Sequence, residues 1–222
     1  MQTELLDWDA IDTVLLDMDG TLLDLNFDNH FWQEFVPLHF AKQNNLSLVE
    51  AKQQLQPQFK QMEGRLEWYC LDYWSEALQL DIIGLKAELA GLISVLPHVL
   101  DFLEQIRNTS RSVFLVTNAH QASLGLKMEK TCLQPFFDAI ISSHALGAAK
   151  EHVEFWPRLQ ALHPFDKQRT LMVDDSLAVL RAAQNFGIRH LITMNQPDSQ
   201  RPKRVIEEFP SIGDFRELLY GL

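Results

Sequence analysis

Residues 14–24 read V-L-L-D-M-D-G-T-L-L-D, an apolar run that ends in two aspartates one residue apart. Thr13–Leu16 is short, aliphatic and continuous, as expected for a strand covered on both faces of a parallel sheet. Asp17 and Asp19 follow directly, and Gly20 can adopt the positive φ that a tight turn needs. Because two carboxylates at one sheet edge repel each other, this stretch predicts either an acidic turn or a cation site.

Four later runs have the same strand character, at 113–116, 139–141, 171–173 and 190–193. Helical patterns separate them, including one helix that Ser176 fits as the N-cap and Gly187 fits as the C-terminal cap. Alternation of strands and helices predicts an α/β fold with a Rossmann-like, doubly wound parallel sheet. Pro157 interrupts the helical pattern over 151–162, so we expect a break or kink there.

The segment 25–96 differs from the rest because it lacks strand patterning and reads as four helices. Ser47 and Glu50 have the spacing of a capping box at the start of one helix. Asp81 is a candidate N-cap for another. The segment is therefore predicted to be an all-helical unit.

The position of this helical segment predicts the domain organisation. Asp17 and Thr117 are 100 residues apart, and removing the helical stretch leaves about 30 residues, the usual length of a βαβ unit. We therefore expect a core domain of residues 1–24 and 97–222, with residues 25–96 inserted as a cap domain. An insertion at the carboxyl end of the first strand lies where α/β sheets bind ligands, so the cap is expected to act as a lid.

Polar residues follow the other predicted strands at the same edge of the sheet. They are Thr117 and Asn118 after the second strand, Lys150 after the third, and Asp174 and Asp175 after the fourth. Taken alone, each of these residues is typical of an ordinary turn, helix cap or surface position. Together they bring up to four carboxylates into one volume, and two carboxylates about 4 Å apart repel by roughly 4 kcal/mol at an effective dielectric near 20. A hard divalent cation with oxygen ligands removes that repulsion, which predicts Mg²⁺.

These motifs resemble those of the haloacid dehalogenase-like phosphohydrolases. The resemblance lies in residues 14–24, V-T-N at 116–118, the isolated Lys150 and V-D-D-S at 173–176, in the family's order. Residues 15–32 and 68–76 further resemble bacterial GMP/IMP nucleotidases of this superfamily. One departure is Glu151 after Lys150, where many relatives have proline.

The resemblance implies a catalytic role for each motif residue. Asp17 is the expected nucleophile, forming an aspartyl-phosphate, and Asp19 the general acid and base. The expected Mg²⁺ ligands are the Asp17 carboxylate, the Asp19 carbonyl and Asp175, with Asp174 holding a metal-bound water or Lys150. The groups expected to bind the substrate phosphate are Thr117, Asn118 and Lys150.

The cap is expected to select the leaving group. Trp68, Tyr69 and Tyr73 are predicted on one helix by their i, i+4 spacing, either as a platform for a purine base or as packing between cap and core. His120 is a further candidate for the ribose or base. The resemblance implies a Mg²⁺-dependent purine 5′-nucleotidase acting on GMP and IMP; the alternative is a phosphatase or phosphomutase acting on a sugar phosphate or another small phosphometabolite.

Other functional classes fit less well. A phospho-receiver domain also places acids, a threonine and a lysine around Mg²⁺, but there the acidic pair comes first and the lysine last, whereas Lys150 precedes Asp174 here. A dehalogenase shares the fold, yet Asp19, Thr117 and Lys150 suit phosphoryl transfer. A mutase and a hydrolase are not separable on these residues.

Composition restricts the partners. A net charge of −11 disfavours nucleic acid, leaving a small phosphorylated substrate as the expected partner, with the oligomeric state open. No apolar run approaches the ~18 residues that span a bilayer, and the acidic N-terminus lacks a signal peptide's basic region, so we expect a cytoplasmic protein without a membrane partner. Cys70 and Cys132 have no C-x-x-C spacing and are expected to be small buried residues rather than metal ligands.

Overall fold

A parallel sheet forms the centre of the protein in the computed structural model, which describes residues 6–222. Residues 1–5, part of the acidic N-terminal segment considered above, lie outside the described residues. The described chain contributes six strands: β1 (Thr13–Leu16), β2 (Ser112–Thr117), β3 (Ala139–Ser142), β4 (Thr170–Val173), β5 (His190–Met194) and β6 (Ser211–Ile212). Their order is β3-β2-β1-β4-β5-β6, which confirms the doubly wound α/β prediction.

The central position of β1 determines where the functional loops meet. Leu16 at the end of β1 pairs in parallel with Leu115 on one side and Val173 on the other. The chain adds β2 and β3 on one side of β1 and then β4, β5 and β6 on the other. Ligands of open α/β sheets bind where the strand order reverses in this way. The loops after β1, β2 and β4 therefore leave the sheet side by side.

Helices cover both faces of the sheet and bury continuous apolar stripes against it. The helices outside the insertion are α6 (Val99–Arg107), α7 (Gln121–Thr131), α8 (Ser143–Leu146), α9 (Phe155–Leu162) and α10 (Leu177–Phe186). Ser176 caps α10 and Gly187 ends it at φ 106°, as predicted. The break or kink expected at Pro157 is not found: α9 begins only at Phe155 and continues through the proline, which lies in the first turn, where its missing N–H has no helical acceptor to lose.

The segment between β1 and α6 is helical but more divided than the four helices expected. It contains α1 (Asn26–His30), α2 (Val36–Asn44), α3 (Leu48–Met62), α4 (Leu71–Leu78) and α5 (Ile82–Glu88). A π-helical turn joins α1 to α2, and the capping box at α3 and the Asp81 cap of α5 are present as predicted. These helices bury their own apolar cluster, centred on Phe31, Trp74 and Ile82. We propose that residues 25–96 form the cap domain, as the sequence predicts.

The prediction that Trp68, Tyr69 and Tyr73 share one helix is corrected. Trp68 and Tyr69 lie in a short 3₁₀-helix, Leu66–Tyr69, whereas Tyr73 lies in α4. Cys70 adopts an extended conformation between the two and acts as the N-cap of α4, so the three aromatic residues do not share one helix.

The cysteines are also less buried than expected. Cys70 is half-buried, and Cys132 is exposed because it ends α7 in a left-handed conformation at the surface. Within residues 6–222, every helix is too short or too polar to cross a membrane.

Candidate active site

The residues predicted to carry the chemistry meet at the carboxyl end of the sheet. Asp17 follows β1, Thr117 is the last residue of β2 and Asp174 follows β4. Asp17 is 5% exposed, and Thr117 and Asp174 are each 1% exposed. Because charged groups lose hydration when buried, these carboxylates need nearby cations or hydrogen-bond donors.

Lys150 joins two of the carboxylates from the loop after α8. Its buried ammonium donates hydrogen bonds to Asp17 Oδ1, to Asp174 Oδ2 at 2.7 Å and to the Val116 carbonyl at 3.0 Å. The backbone N–H of Lys150 donates to Asn118 Oδ1 at 2.9 Å. The structure therefore brings four of the predicted residues, from four separate loops, into one contact network.

The electrostatics of this network favour a further cation. Burial raises the pKa of Asp17 to about 7, although the Lys150 ammonium opposes the change. Burial, followed by the neighbouring Asp174 and Asp17 carboxylates, raises the pKa of Asp175 well above its ordinary range. Burial lowers the pKa of Lys150, but Asp17 and Asp174 outweigh that effect and raise it. One ammonium thus faces more carboxylate charge than it can balance.

Gly20 allows Asp175 to approach the first loop. Gly20 has φ +86°, and a Cβ built on it would lie 2.7 Å from Asp175 Cγ. Both the left-handed backbone and the lack of space therefore require glycine here. The contact brings Asp175 against the turn that carries Asp17 and Asp19.

The carboxylates form a donor set suited to a hard cation. One oxygen from each of Asp17, Asp174 and Asp175 lies within 4.8 Å of the other two. Mg²⁺ prefers oxygen ligands at about 2.0–2.1 Å and is commonly held by one or two carboxylates. The residues present therefore fit Mg²⁺ at this edge of the sheet.

An ion-pair network with two buried lysines positions Asp19. Lys127 donates to Asp19 Oδ1 and to Asp28 Oδ2, both at 2.6 Å. Lys86 donates to Asp28 Oδ1 at 2.5 Å and to Ser123 Oγ at 3.0 Å. Burial raises the pKa of Asp19 to about 6 against the effect of Lys127, whereas the two ammonium groups outweigh burial at Asp28 and lower its pKa to about 2.

This network was not predicted from the sequence. Lys127 follows Ser123 by four positions on the buried face of α7, and Lys86 lies beside Leu85 on the buried face of α5. A lysine on the apolar face of an amphipathic helix is the signal that could have found both.

A second contact chain links the insertion to the sheet. The Tyr69 hydroxyl donates to Glu151 Oε1, and Asn118 Nδ2 donates to Glu151 Oε2 at 2.8 Å. Burial, with the Glu151 carboxylate beside it, raises the pKa of Tyr69, which keeps the phenol protonated. Glu151, the departure from the family pattern after Lys150, thus holds Tyr69 and Asn118 in place.

A cavity of about 320 Å³ lies between the carboxylates and the insertion. Its wall in the insertion is aromatic and includes Trp32, Phe59, Trp68 and Tyr69. The rings of Trp32 and Trp68 stack with centroids 6.4 Å apart, and Phe59 meets Trp32 edge-on at 5.7 Å. One end of the cavity is therefore polar and the other aromatic.

The remaining two specificity candidates occupy different positions. His120 lines the cavity and caps the N-terminus of α7. Tyr73 instead packs edge-on against Trp74, with ring centroids 5.0 Å apart, and is not among the residues that line the cavity. The prediction that Tyr73 reads the leaving group is therefore not supported, since α4 directs it into the packing of the insertion.

Fold and site together define the class of protein. Residues 11–187 match the family model described as haloacid dehalogenase-like hydrolase. The chain belongs to the haloacid dehalogenase-like hydrolases.

Particular relatives resemble nearly the whole chain. It is 40% identical over 215 residues to the GMP/IMP nucleotidase YrfG of Escherichia coli (strain K12), with 97% of each protein covered. It is 24% identical over 221 residues to the pyrophosphatase PpaX of Oceanobacillus iheyensis, covering 91% of this chain and 95% of that protein. The structure of a HAD phosphatase from Thermococcus onnurineus matches with a TM-score of 0.77 at 21% identity, covering 95% of this chain and 99% of that one, a likeness of fold.

Proposed function

We propose that this protein is a Mg²⁺-dependent 5′-nucleotidase that dephosphorylates purine mononucleotides such as GMP and IMP. The observation that carries the proposal is the cavity with carboxylates and Lys150 at one end and an aromatic wall at the other. The 40% identity to a GMP/IMP nucleotidase supports the substrate class, because the alignment covers 97% of both chains and so includes the insertion.

Asp17 is the proposed nucleophile. Its carboxylate oxygen attacks the phosphorus in line, the bond from phosphorus to the ribose 5′-oxygen breaks, and an aspartyl-phosphate forms. Asp19 donates its proton to the departing oxygen. The raised pKa of Asp19, about 6, supports this role because the group can carry a proton close to neutral pH.

Water completes the reaction in a second step. Asp19, now ionised, accepts a proton from a water molecule that attacks the phosphorus of the aspartyl-phosphate. The bond to Asp17 breaks, inorganic phosphate leaves and the carboxylate is regenerated. The hydrogen bond from Lys127 keeps Asp19 in position for both proton transfers.

Three groups from the neighbouring loops bind the phosphoryl oxygens. Lys150 supplies a buried positive charge. Thr117 Oγ1 already accepts the N–H of Ala119 at 3.0 Å, so its own proton is available for donation. Both Asn118 side-chain atoms are engaged, which makes its backbone N–H the proposed donor. Asp17, Asp175 and the Asp19 carbonyl would hold Mg²⁺, which would supply positive charge that offsets the negative charge of the phosphoryl group.

The aromatic wall is proposed to receive the base. A purine presents a flat π-face, and stacking on an aromatic side chain contributes about 1–3 kcal/mol per base. Trp68 and Tyr69 lie on the 3₁₀-helix that borders the cavity, and His120 lies on the opposite, sheet side. The cytoplasmic location and the absence of nucleic-acid and membrane partners stay predictions.

The test is phosphate release from a panel of purine and pyrimidine 5′-nucleotides and sugar phosphates, with Mg²⁺ and with EDTA. We expect GMP and IMP to have the highest kcat/KM and EDTA to abolish turnover. Preference for a sugar phosphate would overturn the purine assignment while leaving the mechanism, and full activity in EDTA would overturn the metal dependence.

A further inference from the structure

Three potential metal ligands converge where the insertion meets the sheet domain. Cys70 is the N-cap of α4, His120 is the N-cap of α7, and His144 lies in α8. One ligand atom from each lies within 4.8 Å of the other two, and all three side chains are half-buried. The two imidazole rings meet edge-on, with centroids 5.0 Å apart. This cluster is separate from the carboxylates of the catalytic site.

Hydrogen bonding differs between the three ligand atoms. His120 Nδ1 accepts the Ala122 N–H at 3.4 Å, so Nε2 carries the ring proton and faces Asp72 Oδ2 at 3.5 Å. Metal binding through Nε2 moves that proton to Nδ1 and breaks the long hydrogen bond from Ala122. His144 Nε2 is buried and has no hydrogen-bond partner within residues 6–222. A buried polar atom without a partner destabilises the folded state, and a bound ion is one way to provide that partner. The Tyr73 N–H donates to Cys70 Sγ at 3.5 Å, at a helix N-terminus that favours negative charge.

We propose that Cys70, His120 and His144 bind a transition-metal ion of the Zn²⁺ class. One sulfur and two imidazole nitrogens are the ligand types that Zn²⁺ prefers, and Mg²⁺ does not compete for them. Tetrahedral zinc with these ligands has donor atoms about 3.3–3.6 Å apart, so a modest contraction of the cluster suffices. Asp72, whose Oδ2 lies 3.5 Å from His120 Nε2, or a water molecule completes the coordination.

The bound ion fastens the insertion to the sheet domain. Cys70 follows Tyr69, which lines the cavity, whereas His120 and His144 follow β2 and β3. Opening of a lid commonly limits substrate exchange, so a bond across this junction slows turnover. This consequence rests on the proposed function, whereas the binding of the ion does not.

Cobalt is the probe, because Co²⁺ replaces Zn²⁺ and is coloured. The full-length protein is treated with a chelator, returned to excess Mg²⁺ and titrated with Co²⁺. We expect one equivalent to produce a thiolate-to-cobalt charge-transfer band with the visible bands of tetrahedral Co²⁺, and stoichiometric Zn²⁺ to remove both. A protein that shows no charge-transfer band overturns the proposal.

Variants assign the band to these residues. Cys70→Ser keeps a side chain that caps α4 and removes the thiolate, so the band should disappear while the thermal unfolding curve persists. His144→Gln should weaken Co²⁺ binding by at least about tenfold, since even residues behind the ligands alter metal affinity by 10–100-fold. Cys132→Ser, which changes the chain's other cysteine, is the matched control and should keep the band. A band retained in Cys70→Ser, or lost in Cys132→Ser, contradicts the assignment.

Phosphate release tests separately whether the bound ion slows turnover. With a fixed excess of Mg²⁺, low Zn²⁺ should reduce phosphate release by the unmodified protein and not by Cys70→Ser. Equal inhibition of both contradicts the fastening role even where the cobalt spectrum supports the site. Because the spectrum needs no substrate, failure of the nucleotidase proposal and failure of this site are distinguishable.

Discussion

At the scale of single residues, Lys127 links parts of the chain that are remote in sequence. Its ammonium bridges Asp19 and Asp28, which are 108 and 99 residues away. The helix pattern could have marked Lys127 as a buried lysine, but pairings over such distances leave no local pattern, so its partners and its effect on Asp19 could not be predicted. Asp17, by contrast, was identified because its partners lie in the loops that follow the other predicted strands, at the same edge of the sheet.

Removal of the buried Lys127 charge leaves two half-buried carboxylates without their shared partner. We expect Lys127→Met to lower the free energy of unfolding by roughly 3–5 kcal/mol, the cost of breaking a buried ion pair. Urea unfolding measures this change in the free energy of unfolding. The control is Lys52→Met, whose ion pair with Glu34 is exposed and should contribute about 0–1 kcal/mol. Equal losses in the two variants contradict the structural role given to Lys127.

Trp68 provides a test of base recognition. Trp68→Leu keeps an apolar side chain in the packing with Trp32 but removes the ring face. We expect kcat/KM for IMP to fall by about 5- to 150-fold, the equivalent of 1–3 kcal/mol of stacking. Ribose 5-phosphate, which lacks a base, serves as the control substrate and should be unaffected. A parallel fall for both substrates indicates a structural role for Trp68 instead.

At the scale of secondary structure, the strands were predicted to within two residues at either end. Strands β1 to β5 are apolar runs bounded by polar or small residues, and burial on both faces makes such runs continuous. The two-residue strand β6 was missed because so short a segment has no periodicity to detect. The catalytic loops were expected to converge because parallel strands end at the same edge of a sheet. The sequence therefore predicted the polar end of the cavity.

The aromatic wall was predicted less well. The spacing of Trp68, Tyr69 and Tyr73 indicated one helix. Cys70 instead has an extended backbone, which separates a 3₁₀-helix from α4. Trp32 reaches the wall from the π-helical turn and Phe59 from α3, through tertiary packing that spacing does not encode. The sequence thus predicted aromatic character in the insertion but not which rings face the cavity.

The capping box of α3 gives a prediction for one element. Ser47 Oγ accepts the Glu50 N–H at 3.3 Å, and the Glu50 carboxylate accepts the Ser47 N–H at 2.9 Å. Ser47→Ala should lower the free energy of unfolding by about 1 kcal/mol, and Ser47→Gly by only a few tenths. Chemical denaturation compares the two. A larger loss for glycine than for alanine contradicts the cap, and phosphate release should be unchanged in both.

At the scale of the whole molecule, stability should depend on pH and metal together. Asp17 and Asp19 have folded-state pKa values raised to about 7 and about 6 from an ordinary 3.8. The metal-free folded state therefore retains protons that the unfolded state has lost, so these groups make stability fall as pH rises from about 4 to about 7. Mg²⁺ binds the ionised carboxylates, and its stabilising effect should grow over the same range.

Calorimetry of the EDTA-treated and Mg²⁺-loaded protein at about pH 5 and about pH 8 measures this linkage. We expect the Mg²⁺-induced rise in Tm to be larger at the higher pH. The Asp17→Asn variant, whose residue 17 cannot ionise, should show a weaker pH dependence than the unmodified protein and so separates this effect from that of histidines. A Mg²⁺ effect that shrinks as pH rises contradicts the carboxylate assignment.

The covalent step on Asp17 is tested most directly by chemical trapping. Borohydride reduces an aspartyl-phosphate to homoserine, so protein quenched during turnover of IMP, reduced and digested reports the position of the intermediate by mass spectrometry. We expect homoserine at position 17 only when substrate and Mg²⁺ are both present, and loss of turnover in folded Asp17→Asn. Sustained phosphate release with no modification at position 17, or substantial activity in Asp17→Asn, would contradict the mechanism.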